Sequence, residues 1–177
     1  ETVAYVPLQA SGGAALVALA CNEVVLQPEA HIGGGKPDVD RDTLNTARGT
    51  IRESFGNRSG RSWSLVLATI DPTVEVFSYQ NTKTGEIRYF CDEEAKSQQN
   101  PEDWKRGARL KPVADADSAL RLTADRAVEL GIASHTVDNA DELNTLYGLE
   151  GFIRTAEPNW ALELVEALAS PGLAVLL

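Results

Sequence analysis

The sequence contains only two cysteines and two histidines, and this shortage excludes several kinds of functional site. Neither Cys21 nor Cys91 belongs to a Cys-x-x-Cys pair or lies in a His/Cys cluster, so we predict neither a metal centre nor a disulfide. Each thiol is instead expected to pack as a small hydrophobic side chain. The apolar C-terminal run, residues 171–177, is too short to cross a membrane, which takes about 20 residues.

Basic residues are also scarce. Sixteen lysines and arginines stand against 26 aspartates and glutamates, and the formal net charge is −10. Such a charge argues against nucleic-acid binding and against direct adhesion to an anionic membrane surface. The chain has 177 residues, 43% of them hydrophobic, and no low-complexity tract, so one globular domain is expected.

The stretch Ala10-Ser11-Gly12-Gly13 separates a predicted strand, residues 2–6, from an apolar run, residues 14–20. That run has no polar face, so we predict a helix that is buried on all sides. Ser11 then lies at the junction of strand and helix, where its hydroxyl could cap the first turn. The two glycines would let a substrate approach, and the helix dipole favours negative charge there. A capping role and a nucleophilic role are both open at this point.

Further motifs follow in a fixed order. A predicted strand, residues 22–27, precedes Pro28, and Ala30-His31-Ile32-Gly33-Gly34 comes next. Residues 122–133 read Leu-Thr-Ala-Asp-Arg-Ala-Val-Glu-Leu-Gly-Ile-Ala. Together these motifs resemble the ClpP/crotonase superfamily, and most closely its NfeD-type membrane-bound serine proteases and signal peptide peptidase A. Pro158-Asn159-Trp160 and Ser170-Pro171-Gly172 are similar to that family's approach to its membrane segments.

The resemblance implies an α/β fold of the ClpP/crotonase type, built from repeated strand–strand–helix (ββα) units, of which this chain holds the C-terminal part. It implies that Ser11 is the nucleophile of a serine endopeptidase that cleaves apolar segments of membrane proteins. Stomatin- or flotillin-type partners, a homo-oligomer and an extracytoplasmic domain at the bacterial envelope are also implied, without a cofactor or metal. The candidate oxyanion and substrate-binding positions in this chain are Gly12, Gly13, Gly33 and Gly34, and the resemblance implies a further Gly-Gly turn upstream that supplies oxyanion-hole amides.

The general base is the weak point of this interpretation. The resemblance implies a lysine on the helix after the glycine-rich loop, and Arg52 stands at that position, 41 residues after Ser11. A guanidinium stays charged at any working pH, so Arg52 could orient a carbonyl but should not deprotonate a serine. Lys36 is the nearby lysine that could substitute. His31 and His135 support a Ser-His-Asp triad only poorly.

Two other functions are compatible with these residues. The chain could be a degenerate relative that keeps the fold and binds a membrane partner without cleaving it, as Arg52 would suggest. It could also be an acyl-CoA-handling enzyme of the crotonase branch, although Ala-Ser-Gly-Gly belongs to the peptidase branch.

Hydrophobic periodicity outlines the remaining elements. We predict helices over residues 44–55, 63–70, 123–130, 139–147 and 159–169, and a hairpin formed by residues 74–79 and 86–91. Residues 92–109 are predicted to form a solvated excursion, and residues 109–114, 120–122 and 133–137 short strands. The expected division is a ClpP-like domain over residues 1–156 and a juxtamembrane helix with the start of a membrane segment over residues 157–177.

Overall fold

The structure is a computed structural model that describes residues 2–35, 41–58, 61–110 and 118–149. Within residues 41–58 the side chains at 41, 43, 44, 47 and 56–58 lie outside the description. The chain divides into two compact units, Glu1–Asn139 and Ala140–Leu177. The predicted boundary at residue 156 and everything predicted beyond it lie outside the described residues, as does Lys36.

The first unit begins with two successive strand–strand–helix segments. Their first strands pair with each other in parallel, with Val3 opposite Glu23, and their second strands do the same, with Gln9 opposite His31. Parallel neighbours require a crossover, and the intervening helix supplies it. The elements are β1 (Val3–Val6), β2 (Gln9–Ala10), α1 (Gly13–Ala20), β3 (Glu23–Leu26), β4 (His31–Gly33) and α2 (Arg41–Arg58).

The centre of the core is β3, whose Val24, Val25 and Leu26 are fully buried. Such a continuous apolar run is typical of a parallel strand covered on both faces. Helix α1 buries only one face, through Ala15, Ala18 and Leu19, while Val17 on the opposite face is 71% exposed. The prediction that this helix is buried on all sides is therefore wrong for the described residues. An apolar helix that lies against a sheet along one face leaves its other face open.

Helix α2 extends further at both ends than predicted, and its Ile51 and Phe55 lie in the core as expected. It is followed by the short helix α3 (Trp63–Ala68), in which all six residues are buried. Ser62 caps α3, because its hydroxyl accepts the N–H of Leu65 at 3.1 Å.

A separate three-stranded antiparallel sheet follows. The predicted hairpin is present as β5 (Phe77–Asn81) and β6 (Ile87–Phe90). Residues 92–109 are largely exposed, as predicted for a solvated excursion, but they are more regular than that prediction implies. Those residues form α4 (Asp92–Ser97), a 3-10 turn (Pro101–Asp103) and β7 (Trp104–Arg109), and β7 pairs with β5.

The first unit ends with β8 (Arg121–Thr123), α5 (Ala124–Glu129) and β9 (His135–Thr136). Strand β8 runs antiparallel to β4, and β9 runs parallel to β3. Gly131 adopts a φ of 69° just after α5, the left-handed end that the sequence predicts.

The second unit is described up to residue 149 and contains α6 (Ala140–Tyr147). Leu143 is buried, and Gly148 follows the helix with a φ of 60°. None of the helices in the described ranges has the length and apolar character needed to span a membrane.

Candidate active site

Ser11 lies between the end of β2 and the start of α1, at the strand-to-helix junction that the sequence predicts. It does not cap the helix. The N-cap residue is Gly12, one position later, and it has no side chain to offer. Ser11 instead contributes its carbonyl, which accepts the N–H of Ala14 at 3.1 Å. Its half-buried hydroxyl is therefore not occupied by the first turn of the helix.

The turn from Ser11 to Ala14 depends on a backbone conformation that suits glycine. Gly12 has φ 53° and ψ −125°, close to the first central residue of a type II′ turn. The turn delivers the chain from β2 into α1 within two residues. The first amides of any helix lack partners within that helix, so the turn places backbone N–H groups directly after Ser11.

Open space surrounds this turn. A Cβ atom added at Gly12 or at Gly13 would meet no atom within 4 Å. The other two predicted binding glycines have crowded surroundings. A Cβ at Gly33 would lie 2.3 Å from the carbonyl oxygen of Leu120, and one at Gly34 would lie 2.9 Å from the Cβ of Arg121.

Gly33 and Gly34 are thus packing positions in this structure. Gly33 lies in β4 opposite Arg121, and the N–H of Gly34 donates to the carbonyl of Thr69 at 3.1 Å. An amide already bonded to a carbonyl cannot serve an oxyanion at the same time. The structure therefore leaves Gly12 and Gly13 as the predicted oxyanion glycines with space in front of them.

No described side chain forms a hydrogen bond with the Ser11 hydroxyl. His31 is half-buried in β4, where its backbone N–H donates to Leu8, and His135 is exposed in β9. A base for Ser11 is therefore not identified among residues 2–35, 41–58, 61–110 and 118–149. Lys36 is the predicted site residue that lies outside those ranges.

Arg52 is held by partners that the sequence did not reveal. Its guanidinium donates to Glu93 at 2.5 Å and lies 5.3 Å from the ring centroid of Trp63. Both members of the ion pair are about half exposed, so the pair contributes little to stability by itself. Within the described part of the chain, no hydrogen bond or ion pair joins Arg52 to Ser11. Arg52 on α2 therefore contacts α3 through Trp63 and α4 through Glu93.

Arg61 is a residue of the α1 environment that sequence reasoning missed. Its guanidinium donates to the carbonyls of Leu19, Cys21 and Asn22 at 2.9–3.0 Å, and so covers the C-terminal end of the helix that begins beside Ser11. A cation at this end interacts favourably with the helix dipole. Burial lowers the pKa of the Arg61 guanidinium from its usual range. No sequence motif marks such a contact, since its acceptors are backbone atoms forty residues away.

A buried polar cluster at the start of α3 was missed as well. Glu94, 4% exposed, accepts hydrogen bonds from the Ser62 hydroxyl at 2.8 Å and from the backbone and hydroxyl of Ser64 at 3.0 and 2.5 Å. The Ser64 hydroxyl in turn accepts the N–H of Cys91 at 2.8 Å. The cluster ties α4 to α3, and its carboxylate lies far along the chain from Ser11. Both cysteines are free and half-buried.

Comparison with known proteins gives a structural likeness only. No family model matches the chain, and no curated protein matches it. One similar solved structure is a lysine-to-alanine variant of the 1510-N membrane-bound stomatin-specific protease in complex with a substrate peptide, with a TM-score of 0.51 and 14% identity. The alignment covers 94% of this chain and 68% of that protein. The chain shares the fold of that protease.

A serine-to-alanine variant of the same protease is also similar, with a TM-score of 0.47 and 14% identity. In that alignment 81% of this chain is covered, and the chain spans about half of the other, 53%. The helices and sheets of the described residues confirm the predicted α/β class, and the likeness assigns no residue roles.

Proposed function

We propose that the chain is part of a membrane-associated serine endopeptidase of the ClpP class and NfeD type, with Ser11 as its nucleophile. The observation that carries the proposal is the Ser11 turn itself: a half-buried serine between β2 and α1, followed by two glycines facing open space, in a fold shared with a protease. The two successive strand–strand–helix segments support the repeated ββα architecture of that class.

The proposed chemistry is acyl transfer. The Ser11 Oγ attacks the scissile carbonyl carbon while its proton passes to a base, and the carbonyl oxygen becomes an oxyanion. Backbone amides at Gly12 and Gly13 face that oxyanion with the positive end of the α1 dipole behind them, which is the arrangement that stabilises such charge. The proton then passes to the leaving amine, and water later releases the acyl group from Ser11.

Lys36 is the base we propose, because Arg52 is unsuited by chemistry and by its partners. A charged guanidinium bonded to Glu93 cannot accept the Ser11 proton, so the base must come from elsewhere.

A second function is favoured by the same observation on Arg52. A chain with the serine turn but without a base would be a scaffold that binds stomatin- or flotillin-type membrane partners and does not cleave them. Both versions keep the wider proposals made from the sequence. These are a peptide or membrane-protein partner, a homo-oligomer, an extracytoplasmic location, and a juxtamembrane segment over residues 157–177 next to a domain of residues 1–156.

Labelling with a fluorophosphonate probe distinguishes the two functions. If the endopeptidase proposal holds, the wild-type protein is labelled at a measurable rate, and Ser11→Ala abolishes labelling with no change in the melting temperature. Lys36→Ala should slow labelling by about 100-fold, the usual contribution of a general base. Absence of labelling in correctly folded wild-type protein would instead favour the scaffold.

The role of Arg52 is tested by a pair of variants. Arg52→Lys alone should not increase labelling, because Glu93 keeps an adjacent ammonium protonated. The double variant with Glu93→Gln removes that carboxylate and should increase labelling if the side chain at 52 can reach Ser11. Strong labelling that survives both Lys36→Ala and Arg52→Ala would show that neither residue is the base.

A further inference from the structure

The edge of the antiparallel sheet carries hydrogen-bonding groups that the described chain does not use. Strand β6 is an edge strand and pairs with β5 alone among the described residues. In an antiparallel pair, successive residues face alternately toward the neighbouring strand and away from it. The carbonyl of Glu86 faces β5, because it accepts the N–H of Asn81 at 2.8 Å. Arg88 and Phe90 therefore face β5 as well, and Ile87 and Tyr89 face away.

The next outward position confirms this alternation. Cys91 follows Ile87 and Tyr89 in the outward series, and its N–H donates to the Ser64 hydroxyl at 2.8 Å rather than to β5. The Ser64 hydroxyl is itself bonded to the buried carboxylate of Glu94. The outward edge of β6 is thus closed at Cys91 by the Ser64–Glu94 pair. Ahead of that closure it presents two N–H and two C=O groups, those of Ile87 and Tyr89.

This edge lines a groove rather than an open surface. All four residues of β6 line a cavity of about 1240 Å³, and α2, α3, α4 and the end of α5 contribute to its other walls, through residues that include Arg52, Trp63 and Glu129. The volume exceeds the roughly 300–1,000 Å³ that is usual for small-molecule pockets. Ile87 adds an apolar side chain that is 57% exposed. The groove therefore combines a strand edge with an apolar contact.

The charges in the groove have partners within the protein. Arg52 is paired with Glu93, Arg88 with Glu86, and Glu129 with Arg126, while the serines at the start of α3 bind the carboxylate of Glu94. An occupant with charged side chains at the docked positions would find no unpaired charge among these groups. The complementary occupant is a polypeptide segment that is uncharged there.

We propose that the β6 edge binds an extended, uncharged peptide segment, which adds a fourth strand to the sheet beside Ile87 and Tyr89. Strand addition supplies backbone hydrogen bonds, and contact with Ile87 favours β-branched side chains in the segment. A second copy of this chain fits less well, because its own β6 edge lies inside a groove and two recessed edges cannot meet. The site does not include Ser11, so its binding is independent of the proposed peptidase activity.

The test uses a fluorescein-labelled hexapeptide, Ser-Val-Thr-Val-Thr-Ser, and the full chain in wild-type and Ser11→Ala forms. We expect fluorescence anisotropy to give the same dissociation constant for both forms. A control peptide N-methylated at its four central residues should not bind, since it lacks donors on either edge. Ile87→Pro removes one outward N–H without removing a bond to β5 and should weaken binding roughly tenfold, whereas Ile87→Val keeps both the donor and the apolar contact and should bind normally.

Amide hydrogen exchange followed by NMR keeps the test decisive even if Ile87→Pro does not fold. In the free protein the amides of Ile87 and Tyr89 should exchange faster than those of Arg88 and Phe90, and the hexapeptide should protect the first pair selectively. Binding of the N-methylated peptide, or binding that leaves these two amides unprotected, would overturn the proposal. Protection that rises with protein concentration in the absence of peptide would assign the edge to a second copy and overturn it as well.

Discussion

Two Gly-Gly pairs in this chain differ in the space around them. At Gly12 and Gly13 an added Cβ would meet nothing within 4 Å, whereas at Gly33 and Gly34 it would meet atoms within 3 Å. The first pair leaves space beside a serine, and the second lets β4 and β8 pack closely. A glycine pair cannot be assigned to substrate binding from the sequence alone, because glycine is found both beside open space and where segments pack closely. The atoms around the pair decide between the two roles.

The largest expected effect belongs to the crowded pair. Gly33→Ala would place a Cβ 2.3 Å from the Leu120 carbonyl oxygen and 2.7 Å from the Cβ of Thr69, at a φ of 82°. Neither the backbone carbonyl nor the Thr69 Cβ can move without shifting its strand or loop. We expect a loss of about 3 kcal/mol in the free energy of unfolding, measured by urea denaturation.

Gly34→Ala is the matched comparison, because Gly34 has the same φ of 82° but its added Cβ would make a milder clash, at 2.9 Å from the Cβ of Arg121. Its loss should combine the conformational cost of about 1–2 kcal/mol with this milder clash, and should stay below that of Gly33→Ala. Equal losses for the two variants would contradict the assignment of Gly33 to close backbone packing.

The open pair should respond differently at its two positions. Gly12→Ala strains a turn residue at φ 53° and should cost about 1–2 kcal/mol. Gly13→Ala lies in the first turn of α1 without that conformation and should leave stability unchanged or raise it by up to about 1 kcal/mol. Differential scanning calorimetry measures both effects.

Fluorophosphonate labelling then shows whether the open space belongs to the site. Gly13→Ala should slow labelling of Ser11 while the melting temperature stays the same or rises. Unchanged labelling in this variant would separate the open space from the chemistry of Ser11.

The smallest expected effect is a pH dependence of the folding stability, caused by Asp71 near the crowded pair Gly33 and Gly34. Asp71 lies two residues after Thr69, whose carbonyl binds Gly34. Burial alone would raise the pKa of Asp71, but hydrogen bonds from Thr73 and Arg48, together with the charge of Arg48, lower it below its usual value. A lowered pKa in the folded state stabilises the protein above the ordinary carboxyl pKa near 4, and this contribution is lost as the pH falls through the folded-state pKa.

Asp71→Asn should therefore flatten the fall in stability between about pH 5 and pH 2. The pH-dependent part of the free energy of unfolding that this substitution removes should be under about 1 kcal/mol, since Arg48 is partly exposed. Urea denaturation across that pH range measures it. An Asp71→Asn profile parallel to that of the wild type would show that this carboxylate does not titrate differently in the folded and unfolded states.

Local signals in the sequence predicted the parts of the fold that depend on near neighbours. Gly131 ends α5 as expected, and the β5–β6 hairpin lies close to its predicted position, because turns and helix ends are determined by adjacent residues. Ser11 lies at the predicted strand-to-helix junction for the same reason. Its failure to cap α1 is a shift of one residue, which periodicity alone does not resolve.

Contacts between distant segments could not be predicted. The acidic residues 92–94 indicated a solvated surface, yet Glu94 is buried because serines thirty residues earlier bind its carboxylate. The family resemblance aligns Arg52 with a catalytic lysine, but the partner of Arg52 in the structure, Glu93, lies 41 residues away in a segment with no recognisable motif. Strand β7 joins β5 across the intervening helix and turn. Such pairings depend on the folded arrangement.

The three bonds made by Arg61 have a consequence for how this chain can vary. All three acceptors at the end of α1 are backbone carbonyls, those of Leu19, Cys21 and Asn22. Every amino acid supplies a backbone carbonyl, so substitutions at these three positions would leave the hydrogen bonds of Arg61 in place. Position 61 has no such freedom, because only a planar fork with several donors reaches all three. Arg61 can therefore stabilise the end of α1 whichever side chains occupy that end.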